Sequence, residues 1–286
     1  MPSHLERISS NLTALKSAHI SNVLGLTSVP EQLFCTSLQS LRIEDCEELS
    51  YIPDTSQPLI SLEELAIGDC PKLKCFPRIQ GLRRLSIKEC GFEDLTKLQL
   101  CTSLSQLHIE GCPALQSLPD LQGCRSLAQL KIHRCHNLKS LPDLQECHSL
   151  AQLDIYGCHY LTSIPDLQEC HSLAQLVIYW CDNLKSIPDL GELCFLRTLR
   201  IEHCSNITRL SEGSLKCLKS LRIGRYCEEL DVFPSLNFIQ HSHTTLEILH
   251  LKGWAKLNSL PAEIQHFTAL QTLVIFRFDG IEALPE

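Results

Sequence analysis

A strict repeat of 23 residues runs through the middle of this chain and constrains its fold more than any other feature. Nearly the same segment, S-L-[AS]-Q-L-x-I-x-x-C-x-x-L-x-S-[LI]-P-D-L, occurs four times in succession. The first leucines of these copies and of the next unit are Leu104, Leu127, Leu150, Leu173 and Leu196. A fixed period of this length is typical of a solenoid, whose units bury their apolar side chains only against neighbouring units. The repeat therefore directs the search for function to an extended surface rather than to a pocket.

A looser L-x-x-L-x-[IL] frame extends the repeat over most of the chain. Its first leucine, the anchor leucine of each unit, recurs at Leu38, Leu62, Leu82, Leu104, Leu127, Leu150, Leu173, Leu196, Leu218, Leu246 and Leu270. We therefore predict one domain of about eleven units over residues 38–286, preceded by an irregular repeat over residues 1–37. Because neither end carries a polar cap, we expect a fragment or a truncated relative of a longer protein, with natural frayed ends as the alternative.

The pattern within each unit predicts a short strand followed by a turn. In L-x-x-L-x-I the leucine and isoleucine point inward and the residues between them point outward. Proline in the S-[LI]-P-D segment removes a backbone N–H, so this segment belongs on the outer side. The aspartates that follow these prolines are expected to cap short helical turns: Asp120, Asp143, Asp166 and Asp189. The predicted fold is an α/β solenoid, a leucine-rich-repeat horseshoe with a parallel β-sheet on its concave face and short helical or irregular segments on its convex face.

The seventeen cysteines follow the same phase. Eight lie eight residues after an anchor leucine: Cys46, Cys70, Cys90, Cys112, Cys135, Cys158, Cys181 and Cys204. Five lie three residues before an anchor: Cys35, Cys101, Cys124, Cys147 and Cys170. Cysteines fixed by repeat position are predicted to be core residues with free thiols, rather than the disulfide framework of a secreted protein.

Composition and local motifs argue against several classes of function. The net charge of -8 argues mildly against a nucleic-acid partner. No apolar run is long enough for a membrane span, and the N-terminus lacks a secretory signal, so we expect a protein of the cytoplasm or the nucleus. The cluster His133-Arg134-Cys135-His136 diverges in strand phase, and neither a C-x-x-C pair nor a phosphate loop occurs. We predict no catalytic residue, no cofactor, no metal and no enzyme activity.

The candidate site lies on the outward side of the sheet. Six residues after their anchors, His133, Tyr156 and Tyr179 would form an aromatic strip, with Trp180 beside it. Basic side chains lie next to this strip. The predicted partner-binding residues are His133, Arg134, Tyr156, Tyr179, Trp180, Arg200, His203, Arg222 and Arg225. The alternative is that the aromatic rings only stabilise the sheet by cross-strand stacking, which contributes about 0.2–1 kcal/mol per pair.

The repeat sequence resembles that of a known protein family. The segments S-L-E-E-L-A-I-G-D-C-P-K-L-K from Ser61 and L-N-S-L-P-A-E-I-Q-H-F-T-A-L-Q-T-L-V-I from Leu257 resemble the C-terminal repeats of plant nucleotide-binding leucine-rich-repeat disease resistance proteins. This resemblance implies a module of innate immunity that recognises a pathogen effector or a guarded host protein. It also implies contact with the nucleotide-binding domain of a full-length receptor, whose switch the repeats restrain. The alternative is the substrate receptor of a ubiquitin ligase, although such F-box repeats usually carry an I-T-D-like step where this chain has S-[LI]-P-D.

Overall fold

A computed structural model of the protein describes residues 14–54, 61–210 and 213–281. Within these ranges, twelve strands form one parallel sheet in chain order. The strands are β1 (Ser17–Ser21), β2 (Ser40–Glu44), β3 (Glu64–Gly68), β4 (Arg84–Lys88), β5 (Gln106–Glu110), β6 (Gln129–His133), β7 (Gln152–Tyr156), β8 (Gln175–Tyr179), β9 (Thr198–Glu202), β10 (Ser220–Gly224), β11 (Ile248–Lys252) and β12 (Thr272–Phe276). The described helices are short 3₁₀ helices at Glu31–Leu33, Thr96–Leu100, Asn237–Ser242 and Ala262–His266. The predicted solenoid fold is confirmed.

The register of the sheet turns the sequence period into columns of side chains. Leu130 pairs with Leu153, and His133 pairs with Tyr156, between β6 and β7. Every neighbouring pair keeps the equivalent register, so residues at one repeat position lie side by side on the sheet. Each strand begins two residues after the anchor leucine, as Gln129 does after Leu127. The anchor itself lies between the preceding turn and the strand.

The core consists of stacked leucines, isoleucines and cysteines. In the central unit Leu130, Ile132 and Cys135 are each 0% exposed. Full burial of such aliphatic side chains contributes about 1.5–3 kcal/mol each, which stabilises a sheet with little help from long helices. The stack ends at β12, which pairs only with β11 and leaves Leu273 44% exposed.

Buried thiols form a ladder beside the sheet, as predicted. All eight cysteines that lie eight residues after an anchor are buried, and all seventeen are free thiols. Each ladder thiol donates to the carbonyl oxygen two residues earlier, as Cys70 does to Gly68 at 3.1 Å and Cys90 to Lys88 at 3.1 Å. The thiol therefore provides a donor to the backbone at the point where the chain leaves the strand.

Aromatic residues continue this ladder beyond Cys204. Tyr226 is 1% exposed and its hydroxyl donates to the Ile201 carbonyl at 3.0 Å. Trp254 follows one unit later and donates from its indole N–H to the Leu230 carbonyl at 2.7 Å. Phe233 stacks on Trp254 with ring centroids 5.6 Å apart, so the longest unit contributes an extra core ring. Tyr226, Trp254 and Phe278 lie eight residues after their anchor leucines, at the same repeat position as the ladder cysteines.

The outer side of the central units differs from the prediction. The aspartates after the prolines do not cap helices, because only turns follow them. Instead, each carboxylate accepts the backbone N–H two residues later: Asp120 from Gln122 at 2.8 Å, Asp143 from Gln145 at 3.0 Å, Asp166 from Gln168 at 3.0 Å and Asp189 from Gly191 at 2.9 Å. This Asx turn satisfies the carboxylate locally and returns the chain to the sheet within a few residues, which leaves no length for a helix.

Candidate functional site

A left-handed residue follows every strand but β11 and projects from the edge of the sheet. We call these residues the left-handed column: Asn22, Asp45, Asp69, Glu89, Gly111, Arg134, Gly157, Trp180, His203, Arg225 and Arg277. A positive φ costs about 1–2 kcal/mol for a residue other than glycine. Sequence reasoning missed this conformation, although Gly111, Gly157 and two aspartates at one repeat position are its ordinary signal.

The predicted aromatic strip is present and continuous. Tyr156 and Tyr179 stack with ring centroids 5.5 Å apart and an interplanar angle of 6°. His133 meets Tyr156 edge-on at 5.8 Å, and His108 meets His133 at 5.1 Å. Because the strip lies along consecutive strands of one sheet, its rings are held at fixed spacing by the backbone.

Trp180 joins the strip from the left-handed column rather than from a strand. Its φ is 55°, and its side chain is 41% exposed. The indole lies 5.1 Å from the Tyr179 ring and 5.6 Å from the Tyr156 ring, and His203 meets it edge-on at 5.8 Å. A large ring is therefore held at the surface by a backbone conformation that most residues avoid.

Arg200 lies near the strip, but its guanidinium is already paired with a carboxylate. Its Nε donates to Glu202 at 2.6 Å, and its guanidinium lies 4.3 Å above the Tyr179 ring. Glu202 is 1% exposed and also contacts Lys252 at 3.1 Å. Burial opposes ionisation of Glu202, but the hydrogen bond and charge of Arg200, followed by those of Lys252, lower its pKa.

Arg134 is also paired with carboxylates. Its guanidinium contacts Glu110 at 2.5 Å and Glu89 at 3.8 Å. The pKa of Glu110 is lowered, because the hydrogen bond and charge of Arg134 outweigh the effect of burial. The guanidinium groups of Arg134 and Arg200 are therefore paired with carboxylates that lie one strand away or on the same strand.

The remaining predicted cations, Arg222 and Arg225, have no such carboxylate. Within residues 14–54, 61–210 and 213–281, neither guanidinium lies in ion-pair contact with an acidic group. Burial first, then the charges of Arg225 and Lys252, lower the pKa of His203. Burial first, then the charge of Arg222, lowers the pKa of His250 on the neighbouring strand. Both histidines therefore lie close to positively charged side chains.

A shallow depression of about 360 Å³ lies on the other half of the same sheet face. The small residues Ala66 and Ser86 line it together with Arg84 and Lys131. His108 also lines it, and the buried Nε2 of this histidine has no hydrogen-bond partner. The repeat pattern does not predict this depression, because small residues in two adjacent units give no periodic signal.

The cysteine and histidine cluster at β6 separates as predicted. Cys135 points into the ladder and donates to the His133 carbonyl at 3.5 Å, whereas His136 stacks on His159 at 5.0 Å beyond the turn. His159 is held by Asp182 through Nδ1 at 2.6 Å. No group of three or more potential metal ligands occurs among the residues that the structure describes.

No helix in the described part of the chain is long and apolar enough to cross a membrane.

Comparisons with known proteins find matches to leucine-rich repeats. The family described as plant disease resistance protein RPS2-like, leucine-rich repeats, matches residues 9–143. Disease resistance protein RML1A of Arabidopsis thaliana is 30% identical over 112 residues, which are 38% of this chain and 11% of that protein. A second Arabidopsis thaliana protein named as a disease resistance protein is 35% identical over 118 residues, which are 41% of this chain and 8% of that protein. The chain thus aligns with only a small part of either relative.

A solved structure shares the fold. The leucine-rich repeat domain of the type III effector XopL superposes with a TM-score of 0.51 at 22% identity, over 74% of this chain and 67% of that one.

Proposed function

We propose that this chain, whose leucine-rich repeats are similar to those of plant disease resistance proteins, recognises a pathogen effector or a host protein that an effector alters. A leucine-rich-repeat domain of this kind is a protein-interaction module. The proposed contact surface is the concave sheet face around β6–β10. In a full-length receptor, the same repeats would restrain the nucleotide-binding switch through a domain that lies outside this sequence.

The aromatic strip beside Trp180 is the observation that carries this proposal. Tyrosine and tryptophan are enriched at the energetic centres of protein interfaces, because they bury a large area with few rotatable bonds. Here Tyr156, Tyr179 and Trp180 lie within 5.6 Å of one another on a rigid sheet. Stacking between strands would account for the two tyrosines, but it gives no reason for a strained and exposed Trp180.

Proximity labelling in plant tissue tests the proposal, with this chain as bait. We expect the wild-type chain to label a defined protein that the double variant Tyr156→Ala/Trp180→Ala no longer labels, while its melting temperature stays nearly unchanged. The matched control is Tyr160→Ala/Phe195→Ala, which removes two exposed aromatic rings outside the strands and should leave labelling intact; these rings are 56% and 60% exposed. Undiminished labelling by the strip variant, with a large loss of stability, would show that the rings only stabilise the sheet.

Trp180→Gly gives a second variant of the same surface. Glycine adopts the positive φ of this position without strain, so the variant removes the indole and retains the backbone geometry. We expect it to lose labelling without unfolding. A Trp180→Gly chain that labels the same protein as strongly as the wild type would exclude Trp180 from the interface.

A further inference from the structure

Four cations and a single carboxylate occupy the outward side of β9–β11 and the residues that follow these strands. We call the four cations the basic patch: Arg200, Arg222, Arg225 and Lys252. The carboxylate is Glu202, and it contacts Arg200 and Lys252. Since both ion pairs share one acid, the basic patch retains a net positive charge within the described part of the surface.

A glycine determines which cations stay uncompensated. Gly224 lies on β10 between Glu202 and Lys252, and a Cβ there would meet the Lys252 carbonyl oxygen at 1.8 Å. Because Gly224 has no side chain, Lys252 reaches across β10 to Glu202. This contact occupies Glu202, and among the residues that the structure describes no other carboxylate pairs with Arg222 or Arg225.

Arg225 lies two places along the left-handed column from the exposed indole. Trp180, His203 and Arg225 occupy consecutive places in the left-handed column, after β8, β9 and β10. Neighbouring strands lie about 4.8 Å apart, so about 10 Å of backbone separates Trp180 from Arg225. An extended peptide of a few residues spans that distance and could place an apolar and an acidic side chain on one surface.

We propose that the partner docks an acidic polypeptide segment on the basic patch. Its carboxylates bind Arg222 and Arg225, and an adjacent apolar or aromatic side chain packs on Trp180 and Tyr179. Arginine guanidinium suits this role because its planar group binds a carboxylate through two parallel hydrogen bonds. This inference rests on the proposed function and adds the chemistry of the partner to it.

The charge along the left-handed column fixes where such a segment can bind. Asp45, Asp69 and Glu89 occupy the column after β2, β3 and β4, whereas Arg225 occupies it after β10. An acidic segment is repelled at the three acids and attracted at Arg225, so charge sets its position on the sheet. Steering by charge also predicts that association slows as ionic strength rises.

Display of a library of random peptides tests the partner chemistry. Peptides selected on the wild-type chain should be enriched in aspartate and glutamate beside an apolar or aromatic residue. For a selected peptide, measured by fluorescence polarisation, Arg222→Gln/Arg225→Gln should weaken binding about tenfold and reduce its salt dependence. The matched control, Arg83→Gln/Arg125→Gln, makes the same change in net charge at exposed arginines away from the patch and should bind like the wild type.

The remaining outcomes separate this inference from the proposed function. Selected peptides without acidic enrichment, whose binding is still lost in Trp180→Gly, would overturn the acidic partner and retain the sheet face as the binding surface. Peptide binding that survives both Trp180→Gly and Tyr156→Ala would overturn the two together. Failure to select any peptide that binds the wild-type chain would overturn recognition of a linear acidic segment.

Discussion

At the scale of single residues, the arginines of the sheet face differ in whether an acid already binds them. Arg134 and Arg200 are held by Glu110 and Glu202, whereas Arg222 is not. Repeat phase predicted that all of them face outward, because register depends only on the period. It could not predict which are neutralised, since that depends on side-chain reach between columns and on the absence of a side chain at Gly224.

The pKa of His203 reports the charge of its arginine neighbour. Burial first, then the charge of Arg225, lowers this pKa from its ordinary value. Arg225→Gln removes a positive charge and should therefore raise the pKa of His203, which a pH titration of the imidazole signals by NMR measures. Arg209→Gln, an exposed arginine outside the strands, should leave the titration unchanged. A pKa that stays the same or falls in Arg225→Gln would contradict the positive charge inferred beside His203.

The same shift makes stability depend on pH. A histidine whose pKa is lower in the folded than in the unfolded chain binds fewer protons when folded. The unfolding free energy should therefore fall as the pH drops below the unfolded histidine pKa of about 6.5. His108, His133 and His250 shift in the same direction and add to this loss. Because Arg225→Gln reduces the shift of His203, it should weaken the dependence on pH in that range.

At the scale of the repeating unit, the sequence predicted what the period controls. Every regular unit repeats the strand, the inward leucines and the buried cysteine. Their position in the repeat is therefore enough to predict where they lie. The turn conformations could not be predicted from the period. The Asp143 carboxylate accepts the backbone N–H two residues later, so no helix begins there. Cysteine counts alone do not predict Tyr226, because the larger tyrosine fills the ladder position and its hydroxyl donates to a buried carbonyl oxygen.

The buried thiols should be inert until the chain unfolds. Twelve cysteines are buried, Cys35 and Cys227 are half-buried, and Cys75, Cys194 and Cys217 are exposed. Burial also raises the thiol pKa of Cys101 to about 12 and that of Cys124 to about 11, which removes the reactive thiolate. A short pulse of alkylating reagent, read by mass spectrometry, should modify the three exposed thiols first and the twelve buried ones only in denaturant.

Two further measurements complete this test: alkylation of a matched variant, and the number of modified thiols read from the mass of the denatured chain. Cys75→Ser should remove one rapidly modified site and leave the others as they were. Rapid modification of any ladder cysteine in the folded chain would contradict the burial of the ladder. Fewer than seventeen modified thiols in denaturant without reductant would contradict the free thiols of the structure.

At the scale of the whole molecule, backbone pairing within the described residues joins neighbouring units. Each strand from β1 to β12 pairs with the strands before and after it, and a few ion pairs, such as Lys252 with Glu202, span two units. Stability is then close to a sum of unit and neighbour contributions, and no central core connects distant units. The surface from β6 to β10 is accordingly supported from within by its own units and by their immediate neighbours.

A cavity in one unit should therefore loosen the chain locally. Leu153 is 0% exposed at the centre of β7, and Leu153→Ala should cost about 2–5 kcal/mol of local stability. Hydrogen exchange followed by mass spectrometry should show faster exchange in β6, β7 and β8 and little change in β2 or β11. Leu24→Ala, at a leucine that is 69% exposed, serves as the control and should change exchange nowhere. An equal acceleration across all strands would indicate one cooperative unit instead.

The left-handed column has a consequence for how such a surface can change. Trp180 and Arg225 have different side-chain chemistry but the same left-handed backbone conformation. Each directly precedes a buried ladder residue, Cys181 or Tyr226. The packing of the interior does not select these side chains, so mutation can replace them one per unit without a new fold. Evolution or protein engineering could thus change the binding surface by single substitutions spaced one repeat apart. The buried residues that hold the fold would stay the same.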